Sequence, residues 1–245
     1  MEALARAYVQ HAHQRRTGVA AQPPPDVMDL PGPYSPADFV VEMLDASKGA
    51  CRGLQRVGAV GASGGAGGVR VSLVAHSASG WISRILLGSS EPYGGRTYAA
   101  APRVRALVTL GTPHVSREGV ARRNLEFVGR ACAGAPEGVA LACVAGTGAR
   151  GRKVGGVVPD LAFQSYELTT GDGAGLGDGI TPVAAAHALA GAERVTVEGA
   201  LHGPKVETGR IWYGSPAAVD AWEPFLGADA ARAARTGAGA QPAAE

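Results

Sequence analysis

Residues 69–81 have the sequence VRVSLVAHSASGW, in which an apolar segment leads into a His-Ser pair and then into small residues. The apolar, valine-rich first half predicts a β-strand. Ser77 follows it directly, and Ala78, Ser79 and Gly80 are too small to cover the Ser77 hydroxyl. Small residues on both sides of a serine allow a strand to turn sharply into a helix, which leaves the hydroxyl exposed above the sheet. The stretch therefore predicts a strand-turn-helix unit that presents Ser77.

Three further apolar segments are predicted strands, with segments of helical character between them. The strands are residues 103–110, 139–144 and 194–197, and the helical segments are residues 82–87, 121–130 and 181–190. This alternation predicts an α/β fold with a mostly parallel central sheet flanked by helices. Ligands of such sheets bind at the carboxyl ends of the strands, so the residues that follow each strand are the candidates for function.

Length and composition predict one main domain, because 245 residues with 46% hydrophobic content can bury a substantial core. We expect a Pro-rich irregular segment at residues 1–34, the α/β domain at 35–226 and an Ala/Gly-rich tail at 227–245. Within the domain, an amphipathic helix is predicted at about residues 37–56 and a flexible Gly-rich loop at 58–68. That loop precedes a strand instead of following one, which does not favour phosphate binding.

The charge and cysteine content exclude several classes of protein. The 23 Lys and Arg residues against 21 Asp and Glu residues give a formal net charge of +2, with no basic stripe of the kind that binds nucleic acid. No run approaches the roughly 20 apolar residues that span a bilayer. The three cysteines have no metal-type spacing and cannot form a closed disulfide framework, which predicts buried thiols in a reducing compartment. We expect no metal, no other cofactor and no integral membrane segment.

Polar residues follow the predicted strands in an order suited to nucleophilic catalysis. Ser77 follows the first strand, Asp178 lies downstream of the third, and His202 follows the last. A serine hydroxyl becomes nucleophilic when an imidazole takes its proton, and a carboxylate fixes the tautomer of that imidazole. Asp172, in a similar Gly-rich loop, and Glu198, close to His202 in the sequence, are the alternative acids.

The turn around Ser77 departs from the usual glycine pattern, since Ala75 and Ser79 occupy the positions two before and two after the serine. In combination with four other segments, the chain nevertheless resembles α/β-hydrolases of the lipase and esterase type. More narrowly, it is similar to uncharacterised plant and algal hydrolases related to lipases or to the inositol-deacylase that trims GPI anchors. The segments are LVAHSASGWISRILLG (73–88), LVTLGTPH (107–114), FQSYELTTGDGAGLGDGITPV (163–183), VTVEGALHGP (195–204) and WYGSPAAVDAWEPFL (212–226).

The resemblance implies a serine hydrolase that cleaves carboxylic esters through an acyl-enzyme. Carried onto the matching positions, it implies Ser77 as the nucleophile, His202 as the general base and Asp178 as the acid that orients His202. The backbone N–H of Ala78 would be one donor to the oxyanion, and Gly32 is the candidate for the second. The expected substrate is a small ester or a lipid, with residues 115–138 as a cap over the site.

The region before Ser77 departs from the pattern of these hydrolases. Only about 45 residues separate Gly32 from Ser77, too few for a helix, a Gly-rich loop and a further strand-helix unit. Loss of one oxyanion donor lowers the rate by about 10²- to 10³-fold. The alternatives are therefore a catalytically impaired or shortened hydrolase that acts as a binding protein, and a chain that does not fold independently. His76 and His114 are expected to be structural or to flank the substrate.

Overall fold

The computed structural model describes residues 70–117, 119–204 and 210–227. Several sequence predictions lie outside these residues: the irregular segment at 1–34 with Gly32, the helix at about 37–56, Cys51, the loop at 58–68 and the tail after residue 227. In chain order, the described strands and helices are β1 (Val71–His76), α1 (Ser79–Leu87), β2 (Val104–Leu110), α2 (Gly119–Ala131), β3 (Ala140–Gly146), β4 (Ala149–Arg150), α3 (Val157–Thr170), β5 (Leu176–Gly177), α4 (Val183–Ala186), β6 (Glu193–Val197) and α5 (Pro216–Trp222).

A parallel sheet with the strand order β1-β2-β3-β6 forms the centre of the described part of the chain. The ends of the strands are in register, since His76 pairs with Leu110 and Leu110 pairs with Val144. The carboxyl ends of the strands therefore lie along one edge, as predicted for an α/β fold. The short strands β4 and β5 form a separate antiparallel pair.

Both faces of the sheet are covered, which explains why β3 is buried along its whole length. On one face, apolar residues of β2, β3 and β6 pack against Val219 and Trp222 of α5. On the other face, Leu107, Leu141 and Cys143 pack with Leu87 of α1. Burial of Cys143 agrees with the prediction of a buried thiol.

Helix α2 corrects the prediction of a cap at residues 115–138. Its buried residues Leu125 and Val128 pack against Trp81 and Ile85 of α1. Because β2 and β3 are parallel and adjacent, the chain must cross from one end of the sheet to the other between them, and α2 makes that crossover. The apolar residues of this segment therefore serve helix packing.

The predicted strands are confirmed to within about two residues at each end. The helix expected at 181–190 is only the four residues of α4, and the 14-residue helix α3 was not predicted. Leu161 and Leu168 of α3 are about half exposed, at 51% and 52%, so the helix has little apolar periodicity for sequence analysis to detect. No described helix is both long enough and apolar enough to span a membrane.

Candidate active site

Ser77 occupies a strained backbone position at the turn between β1 and α1. Its φ of 57° is the only positive φ of a non-glycine residue within the described ranges. A left-handed conformation costs an L-residue about 1–2 kcal/mol, so it persists only where the surroundings enforce it. The Ser77 N–H donates to the carbonyl of Leu110 at 2.9 Å, and the Ser77 carbonyl accepts from Thr112 Oγ1 at 2.6 Å. These bonds hold the turn against the end of β2.

Gly80 lies where helix α1 passes close to the residues that follow β2. A Cβ at position 80 would lie 2.6 Å from Thr112 Cγ2, closer than real contacts allow. Helix α1 therefore approaches Thr112 at Gly80 too closely for a larger side chain.

Asp178 and His202 form a hydrogen-bonded pair at the carboxyl edge of the sheet. His202 Nδ1 lies 2.8 Å from Asp178 Oδ2, and the Asp178 side chain is fully buried. The backbone joins them as well, because the His202 N–H donates to the Asp178 carbonyl at 2.9 Å. A carboxylate accepts, so Nδ1 carries the proton and Nε2 is left as an acceptor in neutral His202.

The loop after β5 holds the Asp178 carboxylate in place. Asp178 Oδ1 accepts from the backbone N–H groups of Ile180, at 2.9 Å, and Thr181, at 2.7 Å. The two alternative acids, Asp172 and Glu198, are both exposed. Only Asp178, of these three carboxylates, bonds to His202 in the described structure.

Tyr213 is a member of this cluster that sequence analysis did not identify. Its hydroxyl donates to Asp178 Oδ2 at 2.8 Å and accepts from the backbone N–H of Gly146 at 2.8 Å. The side chain is completely buried. Burial, and to a smaller extent the nearby Asp178 charge, raise the pKa of Tyr213 well above its ordinary value. The phenol is therefore protonated and acts as a donor to the carboxylate.

His76 links Ser77 to His202. The Nε2 atom of His76 lies 2.7 Å from the backbone carbonyl of His202, and the centroids of the two rings are 4.6 Å apart. Since a carbonyl only accepts, His76 donates through Nε2–H. Burial and then the neighbouring His202 lower the pKa of His76 to about 4, so His76 is neutral at pH 7. The loop of His202 is thus fastened to the residue that precedes Ser77.

His114, the other histidine expected near the site, is part of the core. Its Nε2 atom lies 3.3 Å from Thr109 Oγ1 and 3.4 Å from Cys143 Sγ, and only 4% of the residue is exposed. Burial, with a smaller effect of Arg84, lowers the pKa of His114 to about 3. His114 is a structural residue, which agrees with one of the two roles expected for it.

The backbone N–H of Ala78 and the Ser77 hydroxyl are the remaining groups of the candidate site. Within the described ranges, the Ala78 N–H donates to no backbone carbonyl. No hydrogen bond joins Ser77 Oγ to His202 in that same part of the chain, where the ring of His202 bonds to Asp178. Such bonds are often long before a substrate binds. Gly32, the expected second donor, lies outside the described residues.

Among the residues that the structure describes, no group of three or more His, Cys, Asp and Glu side chains is arranged to hold a metal ion. No protein-family model matches the chain, and no curated protein or solved structure shows significant similarity to it. The functional assignment therefore depends on the geometry around Ser77, Asp178 and His202.

Proposed function

We propose that this protein is a serine hydrolase of the α/β-hydrolase type that cleaves carboxylic esters, with Ser77, His202 and Asp178 as its catalytic triad. The observation that carries the proposal is the hydrogen bond between half-buried His202 and fully buried Asp178, at the same sheet edge as the strained turn of Ser77. Backbone strain of 1–3 kcal/mol is concentrated at functional sites, and a buried Asp-His pair is the arrangement that orients a general base.

In the proposed reaction, Ser77 Oγ attacks the ester carbonyl carbon while His202 Nε2 takes the hydroxyl proton. The resulting oxyanion accepts a hydrogen bond from the Ala78 N–H. The tetrahedral intermediate collapses, the carbon–oxygen bond to the alcohol breaks, and His202 returns the proton to the leaving alkoxide. Water, deprotonated by His202, then attacks the acyl-enzyme and releases the carboxylic acid together with free Ser77.

Asp178 contributes by keeping His202 in the required tautomer. The 2.8 Å bond from His202 Nδ1 to Asp178 Oδ2 leaves Nε2 as the proton acceptor and stabilises the imidazolium that forms during the reaction. His76, neutral and bonded to the His202 carbonyl, holds the loop of the base. Neither residue reacts covalently.

Labelling with a fluorophosphonate, read out by intact mass, tests the proposal. We expect one adduct on the wild type and none on Ser77→Ala. The matched control is Ser79→Ala, which removes a neighbouring hydroxyl and should leave labelling unchanged. Equal labelling of wild type and Ser77→Ala would contradict the assignment of Ser77.

The substrate class follows from the sequence resemblance, so a small ester or a lipid is proposed over a peptide. A series of p-nitrophenyl esters of increasing acyl length, with a peptide p-nitroanilide beside it, tests this choice. Turnover of the esters is expected. Turnover of the anilide alone would overturn it.

The short region before Ser77 favours the alternative of a hydrolase-like binding protein, because only about 45 residues separate Gly32, the candidate second oxyanion donor, from Ser77. A protein that melts cooperatively but never forms the fluorophosphonate adduct would support that alternative over catalysis. A chain without a cooperative melt would instead indicate that it does not fold independently.

A further inference from the structure

Asp178 Oδ2 is the acceptor of two side-chain hydrogen bonds, one from His202 Nδ1 and one from the Tyr213 hydroxyl, both 2.8 Å long. The other carboxylate oxygen, Oδ1, is held by the backbone N–H groups of its own loop. Tyr213 therefore acts on the same oxygen that orients the histidine. It comes from a different part of the chain, 35 residues after Asp178.

The orientation of the Tyr213 hydroxyl is itself determined. The backbone N–H of Gly146, at the end of β3, donates to the phenol oxygen at 2.8 Å, so the phenol proton must point elsewhere. The carboxylate is the acceptor that the structure supplies for that proton. The ring is buried, and a Cβ at Gly111 would lie 2.7 Å from Tyr213 Cε2, so the ring is closely packed on the end of β2.

From this geometry we propose that Tyr213 is a positioning residue for the base. Its hydroxyl, held by the Gly146 N–H at the end of β3, donates to the same oxygen, Asp178 Oδ2, that His202 binds. The inference rests on the proposed function, since it assigns a role within the same triad. A buried donor to a carboxylate fixes the position of the oxygen and withdraws charge from it.

Tyr166 provides a matched control because it is a second fully buried tyrosine near Asp178. Its hydroxyl accepts from the Gly179 N–H at 2.7 Å and donates to the Ala149 carbonyl at 3.1 Å. It supports the loop of Asp178 without bonding to the carboxylate. Both Tyr166→Phe and Tyr213→Phe delete a buried phenol oxygen. Only Tyr213→Phe removes a hydrogen bond to Asp178 Oδ2.

The experiment compares these two variants by two measurements: the pH profile of the fluorophosphonate labelling rate, and the titration of the His202 imidazole followed by NMR. For Tyr213→Phe we expect the labelling rate at its plateau to fall by about 10- to 100-fold, the range expected for loss of a hydrogen bond to a charged group. Because Oδ2 keeps more charge without the phenol, the midpoint of both pH profiles should move to higher pH. Tyr166→Phe should change neither the labelling rate nor the midpoint by a comparable amount.

The same labelling rate and the same midpoint in Tyr213→Phe and Tyr166→Phe would overturn the proposal, because both would then be merely structural. The NMR titration separates this failure from failure of the proposed function. If the wild type is never labelled, the hydrolase assignment fails, whereas the His202 midpoint still reports whether Tyr213 acts on Asp178.

If Tyr213→Phe does not fold, site-specific replacement of Tyr213 by 3-fluorotyrosine retains the hydroxyl and the packing. Fluorine makes the phenol a stronger donor, so the His202 midpoint is expected to move to lower pH. An unchanged midpoint in this folded variant would contradict the proposal.

Discussion

His202 Nδ1 lies 2.8 Å from Oδ2 of Asp178, a carboxylate whose side chain is fully buried. Oδ1 accepts from two backbone N–H groups, and Oδ2 accepts from His202 and Tyr213. Both atoms at the end of the side chain must therefore be hydrogen-bond acceptors. A carboxylate meets that requirement and an amide does not.

Asp178→Asn is therefore expected to abolish most activity. If the amide oxygen keeps its backbone donors, the amide NH₂ faces His202 Nδ1 and imposes the tautomer in which Nε2 carries the proton. A base in that tautomer cannot accept from Ser77, and we expect the labelling rate to fall by about 10⁴-fold. Asp172→Asn, at an exposed carboxylate, is the control and should label as the wild type does. Normal labelling of Asp178→Asn would contradict the assignment of the acid.

The left-handed backbone of Ser77 predicts an unusual order of stabilities among its variants. Alanine has the same conformational cost as serine at a φ of 57°, whereas glycine adopts this φ without strain. Ser77→Gly should therefore have a free energy of unfolding about 1 kcal/mol above that of Ser77→Ala. Urea unfolding at pH 7 measures the difference. Equal stabilities, or a less stable glycine variant, would show that the turn is not strained.

Gly111 supports the acid by leaving room for it. A Cβ at this position would lie 2.5 Å from Asp178 Oδ2, and the φ of 56° also disfavours alanine. Gly134 has a similar φ of 75° with nothing within 4 Å of such a Cβ, so Gly134→Ala measures the effect of φ alone. We expect Gly111→Ala to be less stable than Gly134→Ala by about 1–3 kcal/mol, since overpacking adds to the strain. Similar unfolding free energies for the two variants would argue against close packing around Asp178.

The buried neutral His114 predicts that the protein loses stability at acid pH. Its pKa of about 3 in the fold lies below the ordinary 6.5, so the unfolded chain binds more protons between these values. The contribution is fully present above pH 6.5 and is lost as the pH falls toward 3. His76, with a pKa of about 4, acts in the same direction.

Urea unfolding at pH 7.5 and pH 5 tests this dependence. His114 alone should lower the free energy of unfolding by roughly 1–2 kcal/mol over that range. For His114→Gln, the change in the free energy of unfolding between pH 7.5 and pH 5 should be smaller by this amount. The comparison holds even if poorer packing lowers the stability of the variant at pH 7.5. A pH dependence identical to that of the wild type would show that His114 titrates normally.

The strands of the sheet are predictable from local sequence because each is a short segment rich in apolar or β-branched residues. Residues 103–110 and 139–144 were predicted strands for this reason, and the structure has them as neighbouring parallel strands. Helix α3 was missed because its partly exposed leucines give little periodic signal. The cap predicted at residues 115–138 is wrong, because Leu125 and Val128 pack against α1 and the sequence does not reveal which surface an apolar residue covers.

The sequence by itself determined that this chain has a parallel α/β sheet, a serine at a tight strand-to-helix turn, and an acid and a histidine beyond later strands. These features depend on residues adjacent in the chain, where side-chain size and hydrophobicity act locally. The tertiary structure decided that Asp178, and not Asp172 or Glu198, meets His202, and that Tyr213 joins the same oxygen. Those contacts bring together residues 24 and 35 positions apart, and their proximity depends on how the chain returns to the sheet edge after β3.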